Sequence, residues 1–243
     1  MPKLKSHAET AIDEIADGIY RISTGMPGGD VPGGFSFNQY LIVDDAPMLF
    51  HTGMRGLFAN TRAAIETVMP VSRLRYLGFS HYEADECGAM NQFLAVAPKA
   101  EVVCGKIAAM VAAGDQADRP PRAMADGEKL SLGRREMIWL DAPHVPHGWD
   151  CGFMADTTTK TLFCGDLFTQ AGDSNPPLTE SDILEPSEMM RHAMDYFAHG
   201  PDTPRLIEKL AALNPATLAC MHGSAFKGDG AALLRALSKR LAN

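Results

Sequence analysis

The stretch 77–90, LGFSHYEADECGAM, constrains this chain more than any other, because a short apolar run stops abruptly in His81, Glu83 and Asp85. Imidazole and carboxylate are metal donors, the carboxylate suiting iron and manganese and the imidazole suiting iron and zinc. In extended backbone, side chains two apart point to one side, whereas on a helix they diverge. The three can therefore face one cavity only if the chain is still extended before the helix begins. Read alone, Asp85 is equally well the N-cap of that helix, with Glu86 favoured by the helix dipole.

Other donors share this placement after predicted strands. His144 and His147 follow Met137–Leu140, Asp166 follows Thr161–Cys164, and His222 follows Thr217–Cys220. Loops at the carboxyl ends of strands converge on one point, so functional groups gather there. Each residue singly has an ordinary reading, as a turn aspartate or a satisfied histidine. Together they approach the roughly six to eight ligands of a two-metal site with a shared carboxylate. His7 lies in the N-terminal tail, and His192 and His199 lie on or beside a late surface helix, so none joins the set. His51 ends a strand and is at most an outer partner.

The remaining pattern predicts strands at 18–23, 37–43, 47–50, 74–79 and 101–104, with a Gly/Pro-rich loop at 24–34. Helices are predicted over 57–69, from Met90, and over 231–241, with two more between 186 and 213 broken at Gly200-Pro201-Asp202. Interleaved strands and helices read as α/β, with helices covering the sheets, in one domain spanning residues 1–243. The net charge of −8 argues against nucleic-acid or anionic-membrane partners. No apolar run is long enough to span a bilayer, and the first residues lack a signal-peptide core, so a cytoplasmic location is expected. Five cysteines without a CxxC pair fit reduced thiols.

The order HxExD, a His some 60 residues later, then GD after a strand and HG near the end resembles the metallo-β-lactamase superfamily. Zinc hydrolases of that superfamily usually carry HxHxDH. Glu83 in HxExD is similar to its diiron branch, the flavodiiron oxygen and nitric oxide reductases and their single-domain relatives. HYEADECGAMNQFLAVAPKAEVVCGKIA and FNQYLIV extend the likeness. The resemblance implies a four-layer αβ/βα sandwich and two iron ions, with zinc or manganese as alternatives. His81, Glu83 and His147 would hold one ion, Asp85 and His222 the other, and Asp166 would bridge. His144, in His144-Val-Pro-His-Gly, competes with His147 through its likeness to the HTPG loop of the zinc hydrolases. Glu86 stands where many relatives carry His, and remains a candidate ligand. A C-terminal flavodoxin domain has no room here, so FMN is not expected in this chain. Electrons would then come from a separate flavodoxin- or rubredoxin-like partner, and a homodimer is plausible by the same likeness.

Two functions follow. The first is binding or reduction of O2 or NO at a diiron centre, where a carboxylate in place of a histidine favours the higher oxidation state. The alternative is metal-dependent hydrolysis of an ester, thioester or lactone, since such a centre also activates water. No Lys/Arg cluster is evident to hold a polyanionic substrate.

Overall fold

Two seven-stranded sheets stack face to face in the computed structural model, which describes residues 9–28, 31 and 33–242. His7 lies outside the described residues. The first sheet follows chain order: β1 (Thr10–Ala16), β2 (Ile19–Met26), β3 (Phe35–Ile42), β4 (Met48–Phe50), β5 (Tyr76–Gly78), β6 (Glu101–Gly105) and β7 (Arg122–Met124). Its first four strands are antiparallel and its last four parallel. The second sheet comprises β8 (Lys129–Ser131), β9 (Glu136–Asp141), β10 (Gly152–Asp156), β11 (Thr161–Phe163), β12 (Leu178–Thr179), β13 (Thr217–Ala219) and β14 (Ala225–Lys227). Its spatial order is β12-β14-β13-β11-β10-β9-β8.

The helices are α1 (Phe58–Glu66), α2 (Ala84–Cys87), α3 (Met90–Val96), α4 (Lys106–Val111), α5 (Ala113–Gln116), α6 (Leu184–Met194), α7 (Thr203–Ala211) and α8 (Gly230–Leu241). Three hydrophobic cores define four layers. Alternation along each strand sends successive side chains to opposite faces. Thus Leu41 packs with Ile65, Phe93 and Leu94 of α1 and α3, while its neighbours Tyr40 and Ile42 face the other sheet. Likewise Leu162 packs with Leu206, Leu210 and Leu234 of α7 and α8, while Phe163 points into the inter-sheet core. The α/β sandwich expected from the sequence is the architecture observed. Local chemistry supports the outer layer: Asp229 caps α8 by accepting from Ala232 N at 2.9 Å, and Lys239 and Arg240 sit at its negative end.

Trp139 of β9 is fully buried between the sheets. A Cβ at Gly105 of the first sheet or Gly152 of the second would meet its indole at 2.9 and 2.2 Å, so both glycines are required for its close approach. Trp139→Ala is expected to lower unfolding stability by about 3–5 kcal/mol, read from denaturant titration, because the rigid sheets cannot close the void.

The structure adds elements that the sequence pattern did not predict: β1, β7, β8, β10, β12, β14, and the short helices α4 and α5. Most are strands of two or three residues or amphiphilic segments, which become strands only by pairing with a neighbour. The extended run expected through Asp85 also ends early. Glu83 is still extended (φ −137°, ψ 155°), but α2 begins at Ala84, so Asp85 and Glu86 lie in the first helical turn. Asp85 is therefore not the N-cap. Among the described residues, no helix is long and apolar enough to cross a membrane. All five cysteines are free and buried.

Candidate metal centre

Strand register builds the site. β11 and β13 are parallel neighbours with Phe163 opposite Ala219. The ladder continues through Cys164 N to Ala219 O and Met221 N to Gly165 O, both 2.9 Å. The third residue beyond each strand, Asp166 and His222, is thereby delivered side by side, with His222 Nε2 3.2 Å from Asp166 Oδ1. The third residue beyond β5 in the other sheet is His81. Its loop is tied to the second sheet by Gly152 N donating to Ser80 O at 2.9 Å. The β9–β10 connection contributes His147.

These groups converge. His81, Glu83, His147 and Asp166 each offer a donor atom, all within 4.8 Å of one another. His81 Nε2 lies 2.8 Å from Glu83 Oε2, and His147 Nε2 lies 3.3 Å from both Glu83 Oε2 and Asp166 Oδ2. On the other side of Asp166, Asp85 Oδ2 is 3.5 Å from His222 Nε2. His144 takes no part: it is exposed, with φ 65°, and its backbone N donates to Gly148 O. His192 and His199 are exposed and remote in the chain from this cluster, pairing with Glu188 and Asp195. Glu86 is buried and lies behind His81, its carboxylate taken up by the Ser80–His81 segment.

Each histidine is held by its other ring nitrogen. His147 Nδ1 donates to Tyr196 O and His222 Nδ1 donates to Ser36 O, both at 2.8 Å, while His81 Nδ1 is 3.2 Å from Ser80 Oγ. Fixing Nδ1 in this way leaves Nε2 as the free lone pair, the arrangement typical of metal-bound histidine. Phe35 stacks on the His222 ring at 4.3 Å.

Sequence reasoning missed the residues that hold His222. Asn38 and Tyr40, on β3 of the opposite sheet, are fully buried. Asn38 Nδ2 donates to Cys220 O at 2.9 Å and to Gly223 O at 2.8 Å, and Tyr40 Oη donates to Cys220 O at 2.6 Å. Arg21 Nη2 donates to Gly223 O at 2.8 Å, and Gly223 N donates to Ser36 Oγ at 3.0 Å. The signal was an asparagine in mid-strand, where a buried amide must find partners.

Electrostatics also suit a cation. Three carboxylates facing one cavity repel unless positive charge sits between them. In the chain without metal the imidazoles supply it. Hydrogen bonds to Asp166 and Glu83 raise His147 to about 10, and those from His147 and His81 hold Glu83 at about 2. Burial pushes Asp85 up to about 6, despite the pull of His222. Burial alone would raise Asp166, but the neighbouring His147, His222 and His81 imidazoles hold it well below the usual carboxylate range. A metal ion entering here displaces those protons. Asp166 Oδ1 is buried and lacks a hydrogen bond of proper geometry, leaving a lone pair unspent. The mixed nitrogen and oxygen donors and this orphaned oxygen fit first-row divalent metals.

Above the donors is a cavity of about 170 Å³ lined by Phe35, Thr169, Met194 and Tyr196. Thr169 Oγ1 and Tyr196 Oη both donate to Asp166 O, at 2.8 and 3.2 Å.

A double-sheet sandwich with histidines and carboxylates gathered at its strand ends is a metallo-β-lactamase-like protein. Residues 35–223 match the ODP family beta lactamase, and the chain belongs to that family. It is 26% identical over 210 residues to the rubredoxin-oxygen oxidoreductase of Megalodesulfovibrio gigas, covering 81% of this chain and 50% of that protein. It is 24% identical over 242 residues to the nitric oxide reductase of Moorella thermoacetica, covering 93% of this chain and 60% of the relative. The solved structure of rubredoxin oxygen:oxidoreductase from Desulfovibrio gigas has the same fold, with a TM-score of 0.82 at 21% identity, over 96% of this chain and 62% of that one. The chain thus spans only half to three-fifths of the length of these curated relatives.

Proposed function

We propose that this chain is the diiron core of an oxidoreductase that reduces O2 or NO. Electrons come from a flavodoxin- or rubredoxin-like donor outside these 243 residues. The observation that carries the reading is the donor set: Glu83, an oxygen donor, stands between His81 and His147 where an all-histidine triad would favour zinc. The names of the relatives, an oxygen oxidoreductase and a nitric oxide reductase, support the same direction.

In this reading His81, Glu83 and His147 would hold one iron and Asp85 and His222 the other, with Asp166 shared between them. When bound, the iron pair supplies redox equivalents and open coordination for a diatomic ligand. The protein's own part is positional. Nδ1 anchors keep three imidazoles aimed inward, and the tether of Thr169 and Tyr196 to Asp166 O fixes the bridging loop. Phe35 and Met194 give the cavity of about 170 Å³ an apolar wall beside the donors, and that volume is ample for a diatomic molecule.

Protein purified without added metal is expected to carry about two irons per chain and, after anaerobic reduction, to consume O2 on exposure to air. A colourless zinc protein that opens thioesters or lactones would replace this reading with hydrolysis. Glu83→His is expected to shift the bound metal toward zinc; unchanged iron content and oxygen reactivity would refute the role given to Glu83.

A further inference from the structure

Glu86 occupies the first turn of α2 beside Asp85, yet its side chain is 0% exposed and turns away from the cavity. Oε2 accepts from the backbone N of Ser80 at 2.8 Å and of His81 at 2.9 Å. Oε1 accepts from Ser80 Oγ at 2.5 Å and lies 3.2 Å from His81 Nδ1. Ser80 Oγ is itself 3.2 Å from that nitrogen. His51 Nε2 stands 3.5 Å from Oε1, but neither His51 ring nitrogen has a hydrogen-bond partner. The carboxylate thus spends its lone pairs on the two-residue segment that carries His81.

We propose that Glu86 is the positioning residue that sets the tautomer and donor strength of His81. The inference rests on the metal-centre reading above. The reason lies in the direction of the hydrogen-bond chain. An ionised carboxylate can only accept. Ser80 Oγ–H therefore donates to Glu86, and the hydroxyl oxygen and Oε1 are both left as acceptors for His81 Nδ1–H. With its proton on Nδ1, His81 presents Nε2 as a bare lone pair to the metal. A glutamine of the same shape would retain the two backbone bonds through its carbonyl oxygen. Its NH2, however, would face Ser80 Oγ and Nδ1, reverse the chain, and favour the proton on Nε2. A carboxylate behind a ligating imidazole also raises the basicity of the ligand. Glu86 acts on the metal through His81, not by touching it.

The test compares wild type with Glu86→Gln, loaded anaerobically with ferrous iron and challenged with a chelator. Glu86→Gln is expected to keep two sites but to release the His81-held ion roughly 10- to 100-fold faster, the usual cost of losing an outer partner. In zinc-loaded protein, the His81 Nδ1–H resonance is expected far downfield and protected from exchange in wild type, where the carboxylate accepts it, and shifted upfield with faster exchange in Glu86→Gln, where it faces an NH2 donor. Ser80→Ala keeps the carboxylate and is expected to give a smaller acceleration of release; it carries the test should Glu86→Gln fail to fold. Unchanged release from both variants overturns the proposal. Loss of the other ion alone from Glu86→Gln also overturns it, since Glu86 would then be a ligand. Wild-type protein that binds no metal sinks the metal-centre reading itself, a result distinct from either.

Discussion

Asp166→Asn is expected to drop bound iron from about two per chain to less than one and to lower oxygen uptake by more than about 100-fold, since losing only outer partners already costs 10- to 100-fold. Asp166 sits at the middle of the cluster. Oδ2 is 3.3 Å from His147 Nε2 and 3.6 Å from His81 Nε2, while Oδ1 is 3.2 Å from His222 Nε2. Asparagine keeps the shape but replaces one oxygen with an NH2 that cannot ligate, and it removes a negative charge. One side of the centre loses its donor and both lose attraction for a cation. Metal analysis with an oxygen electrode reads the effect, and circular dichroism checks that the fold persists. Two irons retained in a folded Asp166→Asn protein would remove Asp166 from the bridging position.

The second large effect separates two histidines three residues apart. His147→Ala is expected to lose metal and oxygen uptake, whereas His144→Ala keeps both. His147 Nε2 faces Glu83 and Asp166, and its Nδ1 is anchored on Tyr196 O at 2.8 Å. His144 is exposed and belongs to a turn closed by its backbone N on Gly148 O. Replacing an exposed imidazole leaves the donor set intact. Metal content of the two variants, measured side by side, decides the matter; metal lost from His144→Ala and kept by His147→Ala would exchange their roles.

Much of the fold was legible because its longer elements carry their own periodicity. The strand at 37–43, the helix from Met90, the break at Gly200-Pro201-Asp202 and the closing helix all appear close to their expected places. The strands that escaped are short or weakly alternating. β12 has two residues and β14 three, and each exists through its partner strand: Leu178 pairs with Ala225, and Leu218 with Phe226. No local pattern encodes a pairing across some fifty residues. The extended reading of HYEAD failed at one point for a local reason. Glu86 N and Cys87 N both bond to Glu83 O, which winds the chain into a helical turn that already contains Asp85.

The sequence by itself determined the donor types, their placement after strands and the α/β class, because residue chemistry and hydrophobic period are local properties. It also singled out Glu83, the oxygen donor on which the proposed preference for iron over zinc rests. Only the tertiary structure decided that His147 rather than His144 faces the carboxylates, that Glu86 turns inward behind His81, and that Asn38 and Tyr40 of one sheet grip the His222 loop of the other. Those outcomes depend on strand register and on how two sheets stack. Both are settled by packing between segments up to about two hundred residues apart, the separation of Arg21 from Gly223 being 202.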